Sequence, residues 1–351
     1  MSVAQSARPA SHERHALKHV SIHLLIPLFL GVGMALAYLG AFHQPSPHDV
    51  RIDVVGSSAE TKVMAQTLQD KLGDAVSVRT VADEATAKAA IEHRDISAAL
   101  VPDAKKPVLL YSDAASATTS QVIVTIFSEV ATGQGVPLEL DNVVPVASDG
   151  DPSGQSMFFY LVGMTVGSYA AGVAIGAAGT ALRHRWRVGL AVVSSGVTTL
   201  LVTVIASAVY GALPSHAVQI GLLAWLYSAT IMLIGVGLHS FLGKVTTPTM
   251  TMLFVMLNFT SAGGVYEPDL LPRFFGALHS FWNGAALHEV GRDLMYFPQV
   301  GIGRYVLTLA LWFVAACALV LASFLYERKR HVPLHQGSAE DEELEEVVAA
   351  A

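Results

Sequence analysis

Thr247-Pro248-Thr249-Met250-Thr251-Met252-Leu253-Phe254-Val255-Met256-Leu257-Asn258-Phe259-Thr260-Ser261-Ala262 is an uncharged run, and it breaks at Gly263-Gly264. Beyond the break the chain reads Val265-Tyr266-Glu267-Pro268-Asp269-Leu270-Leu271-Pro272-Arg273-Phe274-Phe275. From Gly276 to Phe297 the pattern is amphipathic, with Phe274, Phe275, Leu278, Phe281 and Trp282 interleaved with Arg273, His279, Asn283 and His288. The segment sits between two hydrophobic runs, so its setting is the edge of a bilayer. An apolar helix dips back into lipid there only where protein or water satisfies its backbone. The pattern predicts a re-entrant helical segment over 263–300, just before the last span.

The rest of the chain supports a membrane class. Of 351 residues, 52% are hydrophobic and 14% charged, well under the ~25% charged residues of an ordinary globular domain. The formal net charge of −7 is concentrated in the tail and in one soluble insert. Cys317 is the only cysteine, which excludes a disulfide framework or thiolate metal site within the chain.

Residues 1–19 read as a basic cytoplasmic segment and 20–43 as the first transmembrane helix. That run exceeds the roughly 7–15 residues of a secretory h-region, so it is expected to stay uncleaved. Residues 44–155 form an extracytoplasmic α+β insert. Strands are expected at Val50 to Val55, Val76 to Val81, Ile96 to Val101, Pro107 to Tyr111 and Leu138 to Val146. Helices are expected at Ala59 to Leu72, with Val63, Met64, Thr67 and Leu68 on one face, at Asp83 to His93 with Asp83 as N-cap, and at Ser116 to Thr132.

Apolar runs resume at Met157 to Thr180, Val188 to Tyr210, Ala217 to Leu238, Thr247 to Ala262 and Tyr305 to Tyr326. A span needs about 20 apolar residues, and with the first run this predicts six. The transmembrane domain covers 156–326. Orientation is set by Lys and Arg in the short flanks. Arg8, Arg14, Lys18, Arg183, Arg185, Arg187, Lys244, Arg328, Lys329 and Arg330 all fall on one side if both termini are cytoplasmic in the cell membrane. The remainder, 327–351, ends in an acidic block from Glu340 to Glu346 that reads as a solvated, disordered tail.

Chemistry-bearing motifs are sparse. No phosphate-cradling Gly-x-x-x-x-Gly-Lys-Ser/Thr loop occurs, so ATP would have to be bound by a separate subunit. Gly163, Gly167, Ala171 and Ala174 give the second span a small-residue packing face, with Gly172 and Gly176 as a second pair. Packing within one chain and packing between subunits both fit it. Asn258 is the best-placed polar group inside a span for a pathway or interhelical contact. His279, His288 and Glu289 lack helical metal-pair spacing and read as solvated groups. Without a nucleophile–base pair, a cofactor motif or a nucleic-acid footprint, the reading is not an enzyme; no cofactor, metal or nucleic-acid partner is expected.

One span, a large external insert, then five spans with a dipping segment before the last resembles the permease of type-2 ABC exporters. The branch it is most similar to is that of the phage infection protein (YhgE/Pip). Three features carry the likeness: the Ile52-Asp53-Val54-Val55-Gly56 strand after the first span, the Ala85 to Ala99 unit, and Gly263-Gly264 with Glu267-Pro268-Asp269-Leu270-Leu271-Pro272 and Phe274-Phe275. The resemblance implies export of an amphipathic or lipid-like compound through a dimer of permease subunits in the lipid bilayer, driven by a separate ATP-binding subunit. Asn258, Gly263, Gly264, Pro268, Pro272, Phe274 and Phe275 would shape the exit. Arg183, Arg185, Trp186 and Arg187 would form the ATPase-coupling loop, although this link is short for a docking helix and Trp186 also suits an interfacial anchor. The alternative is a non-transporting envelope protein, a secretion accessory or surface receptor, acting through its insert.

Overall fold

The computed structural model describes residues 28–146, 150–213 and 215–330. The basic N-terminal segment, the start of the first predicted span and the acidic tail beyond residue 330 lie outside the described residues.

Helix α1 (Leu28–Phe42) leads into the insert. There β1 (Val50–Val55), α2 (Ala59–Leu72), β2 (Val76–Val81), α3 (Glu84–Glu92), β3 (Ala98–Val101), β4 (Val108–Tyr111), α4 (Asp113–Gly133) and β5 (Glu139–Asn142) succeed one another. The sheet order is β2-β1-β3-β4-β5. β1 runs parallel to β2 and β3, β3 antiparallel to β4, and β4 parallel to β5, with Ile52 opposite Val78 and Ala98. Alternation of side chains across a strand splits the core. Ile52, Val54, Ala98 and Leu100 meet Ala65 and Leu68 of α2 and Ile123 and Phe127 of α4, whereas Ala99 and Leu110 meet Ala87 and Ile91 of α3. Both faces are covered, so β3 is apolar throughout.

The N-cap reading holds: Asp83 accepts from the Thr86 amide at 2.8 Å. The α2 face is a correction. Its inward residues are Thr61, Ala65 and Leu68, whereas Val63 is 66% exposed. Val63, Met64 and Thr67 line an open apolar groove of ≈ 540 Å³ between α2, the β3–β4 loop and the end of α4.

The helical part comprises α5 (Ser156–Ala178), α6 (His184–Val204), α7 (Ala217–Leu242), α8 (Thr246–Thr251), α9 (Asn258–Ser261), α10 (Arg273–His279), α11 (Asn283–Tyr296) and α12 (Gly303–Arg330). A π-helical stretch, Met252–Leu257, joins α8 to α9. Among the described residues four segments are long and apolar enough to cross a membrane: Ser156–Ala181, His184–Val209, Ala217–Ser261 and Gly303–Lys329. The third reverses direction at Gly243 (φ 52°, ψ −120°), a conformation glycine adopts without a Cβ penalty. Tyr227 and Asn258, nearly equidistant from Gly243 along the chain, hydrogen-bond at 2.9 Å. The two arms are therefore antiparallel.

α5 and α7 make the closest seam. A Cβ at Gly172 would lie 3.0 Å from the Met232 Cα, and one at Gly235 would lie 2.9 Å from the Gly172 carbonyl carbon. Where lipid removes the hydrophobic drive, such backbone approach supplies the dispersion contacts that hold helices together. Gly163 and Gly167 face α6 instead, against Val202 and Thr198. Ala171 is half-buried and Ala174 is exposed.

Candidate functional site

Helix α9 ends where Gly263 takes φ +78°, a left-handed turn that disfavours any residue with a Cβ. There is also no room for one: a Cβ would sit 2.9 Å from the His279 ring and 3.0 Å from Glu289 Oε1. Gly264 packs against the Phe158 ring, whose atoms a Cβ would overlap. The chain then crosses onto the insert. The Thr118 hydroxyl donates to the Val265 carbonyl, the Glu267 amide donates to Thr119 (3.1 Å), and the Ser46 and His48 amides donate to the Leu270 and Asp269 carbonyls (2.8 and 2.9 Å). Leu270, 1% exposed, belongs to the core of the insert. Pro268 opens the 3-10 turn Pro268–Leu270, and Pro272 directly precedes α10, where a fixed φ suits a helix start. Phe274 is 61% exposed and Phe275 half-buried; their rings pack edge-on at 5.1 Å.

α11 is the inner half of this element, and it is polar yet buried. Every residue from Asn283 to Asp293 is buried, among α5, α7, α9 and α12. His288 is 2% and Glu289 1% exposed, so the reading of His279, His288 and Glu289 as solvated groups is corrected. Glu289 is compensated from two sides, by Arg94 of the insert and by Arg292 of α11 itself. Arg94, in a left-handed turn after α3 (φ 59°), donates from Nη1 to Glu289 Oε2 and Asp293 Oδ1, both at 2.6 Å. Its Nη2 lies 3.5 Å from Glu267, and its guanidinium stacks 5.4 Å over the Phe297 ring. Arg292 donates to the Gly263 carbonyl at 2.8 Å and lies 3.3 Å from Glu289 Oε1. His279 Nδ1 contacts the Ser261 carbonyl at 2.9 Å.

The electrostatics are set by burial and charge order. Burial by itself lifts the Glu289 carboxyl, but Arg292 and Arg94 outweigh it and hold the group well below the usual carboxylate range. Asp293 goes the other way: burial pushes it up, Glu289 adds to the push, and Arg94 recovers only part. Burial and the neighbouring Arg292 depress the His288 imidazole to about 4. His279 is lowered as well, chiefly by burial. The cluster therefore sets the guanidiniums of Arg94 and Arg292 against the carboxyl groups of Glu267, Glu289 and Asp293, with both imidazoles pushed toward the neutral form.

Deeper in the bundle, Asn258 is fully buried and donates to Tyr227 (2.9 Å) and Thr165 (3.3 Å). It is an interhelical node tying α9 to α5 and α7. Ser168 and Ser228 pair below it at 2.7 Å. Asn258 Oδ1, both amide atoms of Asn283, Glu289 Oε1 and Asp293 Oδ2 are buried without a hydrogen-bond partner. These unmet polar atoms are concentrated on and beside α11, which makes it the candidate site. Between α11 and the insert lies a cavity of ≈ 470 Å³, lined by Arg51, Arg94, Glu267, Asp269, Glu289 and Arg304 among others.

The basic link lies at the other end of the bundle. The structure moves Arg185, Trp186 and Arg187 into α6, and leaves only a 3-10 turn (Gly179–Ala181) with Leu182 and Arg183 between the helices. Arg183 and Arg185 are exposed, as is Trp186, on which Arg185 stacks at 5.9 Å. Arg187 is 4% exposed and paired with Glu327, which also accepts from Ser240 at 2.6 Å. This part of the expected loop is thus an internal clasp across α6, α7 and α12.

Sequence reasoning missed Arg94, Glu267, Arg292 and Asp293 as site residues. A signal was present: Glu289, Arg292 and Asp293 stand at i, i+3 and i+4 on a helix otherwise read as dipping into lipid, a spacing that places them on one face. Among the described residues no group of three or more His, Cys, Asp or Glu is arranged to hold a metal ion. Compared with known proteins, the chain matches no family model and no characterised sequence.

Proposed function

We propose that the chain is the membrane-spanning permease subunit of an ABC-type exporter for an amphipathic or lipid-like compound, acting as a dimer with a separate ATP-binding subunit. In this reading six helices cross the cell membrane, the two arms reversing at Gly243 count as separate spans, and the insert and α10–α11 share the outer face. The observation that carries it is the ionic joint between Arg94 of the insert and Glu289 and Asp293 of α11. A buried, under-satisfied helix clasped by an external domain is built as a movable gate: shifting the insert pulls on the helix that plugs the bundle. Helix tilts at the opposite end would travel through the Arg187–Glu327–Ser240 clasp.

Purification with a candidate ATP-binding subunit tests this. Co-purification and cargo-stimulated ATP hydrolysis are expected, and both should fall in the exposed set Arg183→Gln, Arg185→Gln, Trp186→Ala, which spares the internal Arg187. Neither co-purification nor stimulated hydrolysis with the native chain would count decisively against transport. The second reading is an envelope protein acting through its insert. It is favoured by the tight turns at Gly179–Arg183 and Gly243–Val245, which leave little surface for a docking ATPase. Under that reading the triple variant keeps full partner binding.

A further inference from the structure

The cavity between the insert and α10–α11 is lined by three arginines, Arg94, Arg51 and Arg304, and three carboxylates, Glu267, Asp269 and Glu289, and the arginines differ in how they are engaged among the described residues. Arg94, on its inner wall, is engaged by Glu267, Glu289 and Asp293. Arg51 and Arg304 are different. Among the described residues, Arg51 gives its guanidinium hydrogen bond to the Arg94 carbonyl (3.3 Å) and Arg304 gives its own to the Ser280 carbonyl (3.4 Å). Among the described residues neither has a carboxylate within ion-pair distance, and both are exposed side chains that line the cavity. Asp269 also lines it without an ion-pair partner among the described residues, its carboxyl raised by burial and by the neighbouring Glu267 and only partly pulled back by Arg51 and His48.

The same element has an apolar side. Gly276, His279 and Ser280 line the cavity, whereas Phe274 in α10 and Phe281 in the turn that follows it are 61% and 51% exposed. Exposed phenylalanines outside the membrane-length segments suit the apolar side of an interfacial element at the headgroup–acyl boundary. Arg304 lies at the start of α12, the last membrane-length helix among the described residues, so the cavity lies at the end of that helix.

From this juxtaposition we infer that the cavity is a binding site for the anionic group, phosphate or carboxylate, of an amphiphile. Arg51 and Arg304 grip the anion, Asp269 accepts from an adjacent hydroxyl or ammonium, and the alkyl chain runs along Phe274 and Phe281. Guanidinium is the natural partner for such oxyanions because its planar fork matches their geometry. A volume of ≈ 470 Å³ falls within the ~300–1,000 Å³ range of small-molecule pockets. The site does not require that the chain transports its ligand, so it stands or falls apart from the export reading.

The test uses the full chain purified in a neutral detergent, with native mass spectrometry reading lipid adducts. Phosphatidylglycerol is the first probe, phosphatidylcholine the second, and inorganic phosphate the competitor. Phosphatidylglycerol should bind more tightly than phosphatidylcholine, whose quaternary ammonium cannot donate to Asp269. The double variant Arg51→Gln, Arg304→Gln should weaken phosphatidylglycerol roughly tenfold or more. Arg51→Lys, Arg304→Lys keeps the charge but not the planar fork, so it should bind more weakly than the native chain and more tightly than the glutamine variant, which controls for folding. Displacement by millimolar phosphate identifies a free oxyanion as sufficient ligand; resistance to it assigns the site to the lipid-like molecule. Equal binding of the two lipids, full binding by the glutamine variant, or equal loss in both double variants would overturn the inference.

Discussion

Arg94→Gln is the sharpest probe of the joint between insert and bundle. The native side chain is 15% exposed, and its partners Glu289 and Asp293 are 1% and 0% exposed. Removing one member of a buried ion pair costs about 3–5 kcal/mol, mostly from the uncompensated charge left behind. Here Glu289 retains Arg292 at 3.3 Å, so the stranded group is Asp293. Burial already raises that carboxyl. A carboxyl whose folded pKa is raised favours the folded state below its unfolded pKa and loses that benefit as pH rises through the folded value. The deficit of the variant should therefore be largest near pH 8 and shrink on acidification as Asp293 takes up a proton. Hydrogen exchange at the α11 amides reads the effect directly. If the joint breaks in the opening that exposes α11, a loss of about 3–5 kcal/mol speeds exchange by roughly a hundredfold to a few thousandfold. Adding Asp293→Asn to Arg94→Gln should restore part of the protection, a coupling visible in a double-mutant cycle. Exchange within threefold of the native rate, with no rescue by Asp293→Asn, would show that the joint carries no load.

Two further outcomes are expected from the same interior. The His288 imidazole is depressed from 6.5 to about 4, so unfolding binds a proton between those values and stability falls as pH drops through that window. At about 1.4 kcal/mol per pH unit the loss is about 3 kcal/mol, and His288→Gln should flatten the melting temperature measured in nanodiscs between pH 6.5 and 4.5; an unchanged slope refutes the assignment. A Cβ at Gly284 would overlap Asn258 Oδ1, so Gly284→Ala should cost about 1–3 kcal/mol by overpacking. Gly189→Ala, in α6 with nothing within 4 Å of the added methyl, should be neutral or slightly stabilising in the same thermal assay, and equal melting of the two variants would contradict the packing described.

The sequence alone determined the elements. Hydrophobic run length, the Gly263-Gly264 break and strand alternation located β1, β2, α2 and α3, the apolar runs that lie within the four membrane-length segments (two of them, Ala217 to Leu238 and Thr247 to Ala262, within the third) and the α10–α11 interruption, because these depend on periodicity and on backbone chemistry local to each stretch. It also singled out Asn258, whose amide in an uncharged run needs a partner. Tertiary structure alone decided which charges are interior. Arg94 and Asp293 are 199 residues apart in the chain, and nothing local to either distinguishes a solvated surface charge from half of a buried pair. Arg187 reads as one of three equivalent link arginines until α6 turns it toward Glu327, and Val63 and Leu68 look alike on α2 until the sheet covers only one of them. Desolvation belongs to the assembled fold: whether a charge is wet depends on what packs against it, and that is settled by contacts between segments far apart in sequence.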